Sequence, residues 1–270
     1  MSAPDEGGWV DALVHLDLLD DDAYARVLER AAAADVRTVI HGGIDPRTPS
    51  RVRSGHASVR VWRAYGIHPR VVASGEPERR EQLRALTQRL DEDDVVALGE
   101  IGLDARPEMP PIERQETLLR AQLRLADARG LPVIVHCVHA IGRLVAIVEE
   151  HGPLAAGGML HAFGGPAELV PRLSALGFHF SFGTLVTRPA AKRCRAAATA
   201  VAADRLLVES DAPGETPSGP RQHPREPADI PAILRSIAEL RAEPRDALAL
   251  RVRDNARRLF RFANPVAETP

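Results

Sequence analysis

The sequence is poor in cysteine, lysine and aromatic residues, and each scarcity excludes a class of protein. Its 2 cysteines, Cys137 and Cys194, are too few for the disulfide framework of a small secreted domain. Lys192 is the only lysine, and 35 basic against 37 acidic residues give a net charge of −2. This balance excludes a strongly basic nucleic-acid coat protein, although not a local arginine patch. Aromatic residues make up only 4% of the chain, so few stacking platforms exist for nucleic-acid bases.

Long apolar segments are also missing. No run approaches the roughly 20 consecutive apolar residues that a membrane-spanning helix needs. Residues 1–9 are acidic and glycine-rich, without the basic and apolar parts of a secretory signal, so we expect a cytoplasmic protein with no membrane contact. A length of 270 residues with 44% hydrophobic residues suffices for one large core. We therefore predict a single domain over 1–270, with flexible ends at 1–8 and 263–270.

Short apolar runs alternate with longer amphipathic stretches along the chain. The runs predict eight strands, at Val10–Leu16, Val36–His41, Val59–His68, Val95–Ile101, Pro132–His136, Gly158–His161, Phe178–Phe182 and Arg205–Glu209. The stretches predict helices at Asp21–Ala34, Glu76–Leu90, Pro110–Arg129, Ala140–Glu150, Pro166–Leu176, Pro189–Ala202, Ile230–Arg241 and Asp246–Phe260. Eight such units in about 250 residues are typical of a (β/α)8 barrel, the α/β fold also called the TIM barrel. A doubly wound open sheet is the alternative, because periodicity does not show whether the sheet closes.

Histidines and acidic residues recur at or just after the predicted strand ends. They are His15, His41, His68, Glu100, His136, His161 and Asp211. The carboxyl ends of all strands in a parallel barrel meet on one face, and imidazoles with carboxylates are ligands for zinc, manganese and related ions. Taken singly, each histidine could cap or pack, Glu100 could be a loop acid and Asp211 a turn residue. The joint pattern instead predicts a divalent-metal centre on this face.

Several motifs carry a resemblance to a known family. The main ones are Gly99-Glu100-Ile101-Gly102-Leu103-Asp104, Leu160-His161-Ala162-Phe163-Gly164-Gly165 and Glu209-Ser210-Asp211-Ala212-Pro213. Supporting ones are Tyr65-Gly66-Ile67-His68-Pro69, Pro132-Val133-Ile134-Val135-His136 and Asn255-Ala256-Arg257-Arg258-Leu259-Phe260. Together they closely resemble the TatD family of metal-dependent deoxyribonucleases, in the family's order and over nearly the whole chain.

The resemblance implies an amidohydrolase-like barrel that holds one or two divalent ions, which could be Zn, Mg or Mn. The family's counterpart of Glu100 bridges two ions, and those of His136 and His161 hold one of them. A His-x-His pair, of which His15 is the second member, holds the other ion together with the counterpart of Asp211. Family members cleave DNA phosphodiester bonds, so we expect a deoxyribonuclease in which Glu100 and Asp211 act on a metal-activated water.

The chain departs from the family pattern on the first strand. The family's Asp-x-His-x-His-Leu-Asp reads here as Asp11-Ala12-Leu13-Val14-His15-Leu16-Asp17, so Leu13 replaces a histidine ligand. The affected ion could be held more loosely, the protein could work with one ion, or His41 on the neighbouring strand could replace the lost ligand. A second departure is Ala105, where the family usually has an aromatic residue that could stack on a base or sugar.

Other residues near the strand ends are candidates for contact with substrate. His68, His139 and Arg106 are predicted to bind the substrate, and further arginines could contact phosphates, namely Arg188, Arg221 and Arg225. Each arginine could equally be a solvated surface residue, and His139 could simply begin a helix. Cys137 follows His136 directly, but neighbouring strand residues point to opposite faces, so we interpret it as a packing residue and not a nucleophile.

Two other functions remain open at this point. Barrels of this type also hydrolyse amides and esters, and a fold does not determine its substrate, so a small-molecule hydrolase is an alternative. The loss of a ligand at Leu13 also allows a catalytically weakened barrel that serves as a binding or assembly subunit. The retention of Glu100, His136, His161 and Asp211 argues against full decay, because buried polar groups without a purpose are costly.

Overall fold

A computed structural model describes residues 8–214 and 224–262. Parallel strands follow one another in the order β1-β2-β4-β5-β6-β7-β8-β9, and the short β3 pairs antiparallel with β4. The strands are β1 (Trp9–Val14), β2 (Val36–Gly43), β3 (Gly55–His56), β4 (Val59–Tyr65), β5 (Val95–Asp104), β6 (Val133–Val138), β7 (Gly158–Leu160), β8 (Phe178–Phe182) and β9 (Leu206–Val208). The helices are α1 (Asp21–Ala33), α2 (Glu76–Arg89), α3 (Ile112–Arg129), α4 (Ile141–His151), α5 (Val170–Ala175), α6 (Lys192–Ala200), α7 (Ile230–Arg241) and α8 (Arg245–Phe260).

The segment after β9 closes the sheet against β1. The amide of Asp211 donates to the carbonyl of Leu13 at 3.0 Å, and the amide of His15 donates to the carbonyl of Ala212 at 2.6 Å. Val14 and Ala212 form a parallel bridge there. The predicted (β/α)8 barrel is therefore confirmed, and the open sheet is excluded.

Local sequence explains where the helices begin and end. The side chain of Asp20 accepts a hydrogen bond from the amide of Ala23 at 2.7 Å and caps the start of α1. Gly130 ends α3 with a left-handed backbone (φ 63°), which glycine adopts without a steric cost. The buried face of α3 includes Leu119 and Leu123 and packs onto the outside of the barrel.

The observed strand ends differ from the predicted ones, and the differences position the site. β4 ends at Tyr65 rather than at His68, because the chain turns into a short 3-10 helix over Pro69–Val71. β5 continues beyond Ile101 to Asp104, whose backbone amide and carbonyl are held by the side-chain amide of Gln115 at 2.7 and 2.9 Å.

An irregularity in β5 sets the direction of Glu100. Gly99 pairs with Ile134 and Ile101 pairs with Val135, which leaves Glu100 as an extra residue between two consecutive partners on β6. Such a bulge redirects the side chain of the extra residue, and bulges are common beside active sites. Glu100 is only 1% exposed.

Two further expectations concern membrane-spanning helices and the chain ends. Among the residues with described positions, no helix is long and apolar enough to cross a membrane. The expectation of flexible ends concerns residues that lie almost entirely outside the described ranges, because these ranges begin at residue 8 and end at residue 262.

Candidate metal centre

The carboxylate of Glu100 lies at the middle of a cluster of imidazoles. Its Oε1 lies 2.8 Å from Nε2 of His161, 3.1 Å from Nδ1 of His136 and 3.7 Å from Nε2 of His68. His136 is part of β6, while His161 directly follows β7 and His68 follows β4. The fold therefore brings together donor groups that are distant in the sequence.

The second oxygen of Glu100 faces a different set of residues. Its Oε2 lies 3.2 Å from Nε2 of His15, which in turn lies 3.4 Å from Oδ1 of Asp211. Nδ1 of His15 lies 2.7 Å from the carbonyl oxygen of Gly42, which can only accept, so Nδ1 carries a proton. The Glu100 carboxylate thus joins two halves of one centre. We call them the His136 half, formed by His136, His161 and Oε1 of Glu100, and the His15 half, formed by His15, Asp211 and Oε2 of Glu100.

Further carboxylates hold the histidines of the His136 half from outside. Oδ2 of Asp104 lies 3.1 Å from Nε2 of His136, and Oε1 of Glu209 lies 3.4 Å from Nδ1 of His161. Glu209 is itself fixed by the amide of Ala162 and the hydroxyl of Ser181, each at 2.6 Å. Carboxylates in this position orient a ligand histidine and raise its basicity.

Asp104 and Glu209 have no predicted role in the sequence. Both stand inside the motifs that carry the family resemblance, beside Leu103 and Ser210. The available signal was a second acidic residue in the same motif as a predicted carboxylate ligand, since Asp104 follows Glu100 by four positions and Glu209 precedes Asp211 by two. Ligand histidines usually have carboxylate partners, although the sequence does not show which histidine each of these acids meets.

The electrostatics favour an ionised Glu100. Burial alone would raise the pKa of this carboxyl, but the neighbouring imidazoles of His161, His136 and His15 hold its pKa well below the usual range. Burial likewise lowers the pKa of His15, yet its hydrogen bonds to Asp211 and Glu100 outweigh that effect and raise the pKa to about 10. Without a cation in the centre, a proton on His15 therefore balances part of the negative charge.

The residues of the His136 half suit a divalent cation. Nδ1 of His136 lies 3.0 Å from Nε2 of His161, and both atoms face Oε1 of Glu100. When the outer nitrogens carry the N–H groups, with Asp104 bound to that of His136 and Glu209 facing that of His161, the inner nitrogens present lone pairs to a shared space. A ring nitrogen of His68 also lies within 4.8 Å of ligand atoms of Glu100 and His136, so His68 borders the same space. Nitrogen and oxygen donors of this kind suit zinc or manganese.

The tautomer of His68 separates it from the other histidines. Its Nδ1 accepts a hydrogen bond from the amide of Arg70 at 3.1 Å, so the neutral ring carries its proton on Nε2. Burial lowers the pKa of His68 to about 3, which keeps the ring neutral. The Nε2–H group points toward the centre as a donor, and a protonated nitrogen does not bind a metal.

His41 makes no ion pair with Glu100 within 4.0 Å among the described residues. Its Nδ1 accepts from the amide of Leu16 at 3.2 Å, and its Nε2 lies 4.0 Å from Oδ2 of Asp17. Within the described part of the chain, Asp17 is the only acidic residue within 4.0 Å of a His41 nitrogen. Leu13 is fully buried, and its side chain packs near Gly42 and His15.

Of the residues predicted to contact substrate, two arginines are bound to carboxylates of the site and one histidine is exposed. Arg106 is bound to Asp104, with its Nη2 at 2.6 Å from Oδ2 of that carboxylate. His139 is exposed and has a left-handed backbone (φ 54°). Arg225 is bound to Asp211, with Nη1 at 2.8 Å from Oδ2, while Arg221 lies outside the described residues.

These features define a class of protein. A closed parallel barrel whose strand ends gather imidazoles and carboxylates around one buried glutamate has the architecture of a metal-dependent hydrolase. The model of the TatD related DNase family matches residues 10–261, and the chain belongs to this family. The resemblance inferred from the motifs is therefore confirmed.

Comparison with individual proteins agrees with this assignment. The chain is 34% identical over 243 residues to the uncharacterized metal-dependent hydrolase YabD of Bacillus subtilis, covering 90% of this chain and 94% of that protein. It is 34% identical over 207 residues to the 3'-5' ssDNA/RNA exonuclease TatD of Pantoea vagans, covering 75% and 78%. Its fold matches the crystal structure of YjjV, a TatD homologue from Escherichia coli K12, with a TM-score of 0.84, 30% identity and coverage of 96% and 100%. The protein is thus a hydrolase of ester bonds in a family that includes nucleases.

Proposed function

We propose that the protein is a divalent-metal-dependent nuclease that hydrolyses phosphodiester bonds of DNA. The observation that carries the proposal is the convergence of His136 and His161 on Oε1 of Glu100, with His15 and Asp211 beside its Oε2. The names of relatives such as the Pantoea exonuclease support single-stranded nucleic acid as the substrate class. The ion would be zinc, manganese or magnesium, and the centre would take one or two of them.

The His136 half would hold the ion. His136, His161 and Glu100 supply two imidazole nitrogens and a carboxylate oxygen, and Asp104 and Glu209 keep both rings in position. When bound, a divalent ion lowers the pKa of a coordinated water toward about 7 and neutralises charge on phosphoryl oxygens.

Other residues handle the proton and the substrate. Asp211 presents its Oδ1 beside His15 and would accept the proton of the attacking water, and Glu100, whose Oε2 faces the same nitrogen of His15, would polarise that water. His68 donates its Nε2–H group to a phosphoryl oxygen, in agreement with its tautomer. His139 and Arg106 are proposed to contact more distant parts of the strand.

The proposal is tested with purified protein, freed of metal by a chelator, on end-labelled single-stranded DNA, single-stranded RNA and duplex DNA. We expect no cleavage without metal and stepwise shortening of DNA after addition of Mn²⁺, Mg²⁺ or Zn²⁺. Glu100→Gln serves as the inactive control, because it keeps the size of the side chain but removes the charge. Absence of cleavage with every metal would contradict the proposal.

The buried Leu13 provides the specific observation that favours a second candidate, a weakened barrel that binds without turnover. That candidate predicts nucleic-acid binding that Glu100→Gln leaves intact, with no metal-dependent cleavage. Simple carboxylic esters and amides, included as substrates in the same assay, test the small-molecule alternative.

The cytoplasmic location stays a prediction that fractionation of the cells that make the protein would check.

A further inference from the structure

In the His15 half, a leucine side chain stands where a second ion would need a donor atom. Leu13 lies near the end of β1 and His15 directly follows that strand, and both side chains approach Gly42, since a Cβ built on Gly42 would lie 3.4 Å from Cε1 of His15 as well as close to Leu13. Leu13 is fully buried, and its Cδ1 would lie 2.7 Å from a Cβ built on Gly42, which places the leucine methyl beside the residue that binds His15. A hydrocarbon without donor atoms therefore occupies this side of the His15 half.

A cation of the protein itself is already present on the other side of the same half. Nη1 of Arg225 lies 2.8 Å from Oδ2 of Asp211, and the Arg225 side chain is only 13% exposed. A Cβ built on Gly214 would lie 3.2 Å from this Nη1 and 3.1 Å from the same Oδ2, so the turn at Gly214 encloses the pair. Asp211 consequently has one oxygen bound to a guanidinium and only its Oδ1 directed at His15.

Leu13 and Arg225 both disfavour a second ion in the His15 half. A second divalent ion would find one histidine rather than two, and it would share Asp211 with a fixed positive charge. Like charges at short distance repel strongly where water is largely excluded. No corresponding guanidinium contacts the His136 half directly among the described residues, since Arg106 binds the outer carboxylate of Asp104.

We propose that the centre binds a single divalent ion, in the His136 half, and that Arg225 takes the place of a second ion by neutralising Asp211 in the His15 half. Arg225 is in this view a positioning residue that keeps Asp211 close to His15 and balances its charge. This inference rests on the proposed metal-dependent function, but it concerns the number and position of the ions rather than the substrate.

The test counts ions and does not depend on turnover. Metal-free protein is loaded with Mn²⁺, passed through a desalting column and analysed for manganese per chain, with the EPR spectrum as a second readout. We expect one ion per chain and the spectrum of isolated Mn²⁺, without the exchange coupling of a close pair. The double variant Leu13→His with Arg225→Gln restores the donor and removes the cation, so we expect it to bind a second ion and to show coupling.

Single variants keep the inference testable if the double variant does not fold. Arg225→Gln alone should retain one ion, because Leu13 still lacks a donor, and should lower kcat about a hundredfold through loss of a preorganised charge. Arg225→Lys should recover part of that loss. Arg47→Gln is the matched control, since Arg47 binds Asp45 in an exposed loop pair and should change neither the ion count nor kcat.

Two ions per chain in the unaltered protein would overturn the inference and leave the nuclease proposal intact. A single ion in the folded double variant would also overturn it, because Leu13 and Arg225 would then not determine the count. Zero ions would overturn both proposals. One ion without any cleavage of nucleic acid would remove the proposed substrate and support the inference on the centre.

Discussion

Oδ2 of Asp104 lies 3.1 Å from Nε2 of His136, the ring nitrogen that faces away from Glu100. Neighbouring groups determine the charge of this carboxylate. Burial alone would raise its pKa, but the hydrogen bonds from His136 and Arg106 outweigh burial and hold the pKa of Asp104 below its ordinary value. An ionised Asp104 fixes the N–H group on Nε2 of His136 and leaves Nδ1 free to bind a cation.

The change Asp104→Asn should therefore weaken metal binding without removing a ligand. An amide can present its NH2 group to His136 and so favour the wrong tautomer of the ring. We expect the affinity for Mn²⁺ or Zn²⁺ to fall about 10–100-fold, as is typical for the loss of such an outer partner. Titration calorimetry on metal-free protein measures this, and Asp35→Asn, at a carboxylate that is 54% exposed and pairs with Arg37, is the control. An unchanged affinity would show that Asp104 does not orient His136.

Glu100→Gln tests the shared ligand of the two halves. The amide has the same shape as the carboxylate but no charge, although His15, His136 and His161 all contact this group. Removing a charge that stabilises the reaction by several kcal/mol should lower kcat at least about a hundredfold. Elemental analysis should show loss of the bound ion, and circular dichroism should show a retained fold. A variant that keeps both its ion and its activity would contradict the assignment.

The sequence predicted the barrel well because its pattern is repeated in every unit. Each strand is a short apolar run followed by an amphipathic helix, so an error at one boundary does not change the architecture. The boundaries themselves depend on contacts that periodicity cannot reveal. β5 extends to Asp104 because Leu103 and Asp104 still pair with β6, and the side chain of Gln115 on α3 binds the backbone of Asp104.

For the candidate site, the sequence predicted which residues could take part but not how they are paired. Residue type and position near a strand end pointed to Glu100, His136, His161 and Asp211, which the fold places around one another. The partnership of Arg225 with Asp211 was not predictable, since it depends on how the chain returns to the barrel after β9. The tautomer of His68 is similarly set by one backbone amide.

His41→Ala tests whether His41 replaces the ligand lost at Leu13. His41 is fully buried, and its Nδ1 accepts from the amide of Leu16, while Nε2 faces Asp17. We expect the number of ions per chain to stay the same, because both ring nitrogens of His41 face other groups, namely the amide of Leu16 and Asp17. The free energy of unfolding should fall by about 1–3 kcal/mol, since the amide of Leu16 loses its acceptor. Loss of an ion in this variant would instead make His41 a ligand.

Asp11 lies at the closure of the barrel and controls how stability depends on pH. Its Oδ1 accepts from the amides of Ser210 and Leu13 at 2.9 and 3.3 Å, and its Oδ2 has no partner among the described residues. Burial raises the pKa of Asp11 to about 8, although hydrogen bonds from Ser210 and Leu13 partly oppose the rise. The carboxyl is therefore protonated in the folded protein at neutral pH and ionised in the unfolded chain.

The sign of the pH effect follows from this difference. Between the ordinary pKa of 3.8 and the folded value of about 8, the folded state holds a proton that the unfolded state has released. Stability is then lost as pH rises through this window. Asp11→Asn keeps the Oδ1 acceptor and cannot ionise. We expect the free energy of unfolding of the variant, measured relative to the unaltered protein, to increase by about 1.4 kcal/mol per pH unit between about pH 5 and 7. Urea unfolding of both proteins at several pH values measures this slope, and a difference that does not vary with pH would show that Asp11 is ionised in the folded state.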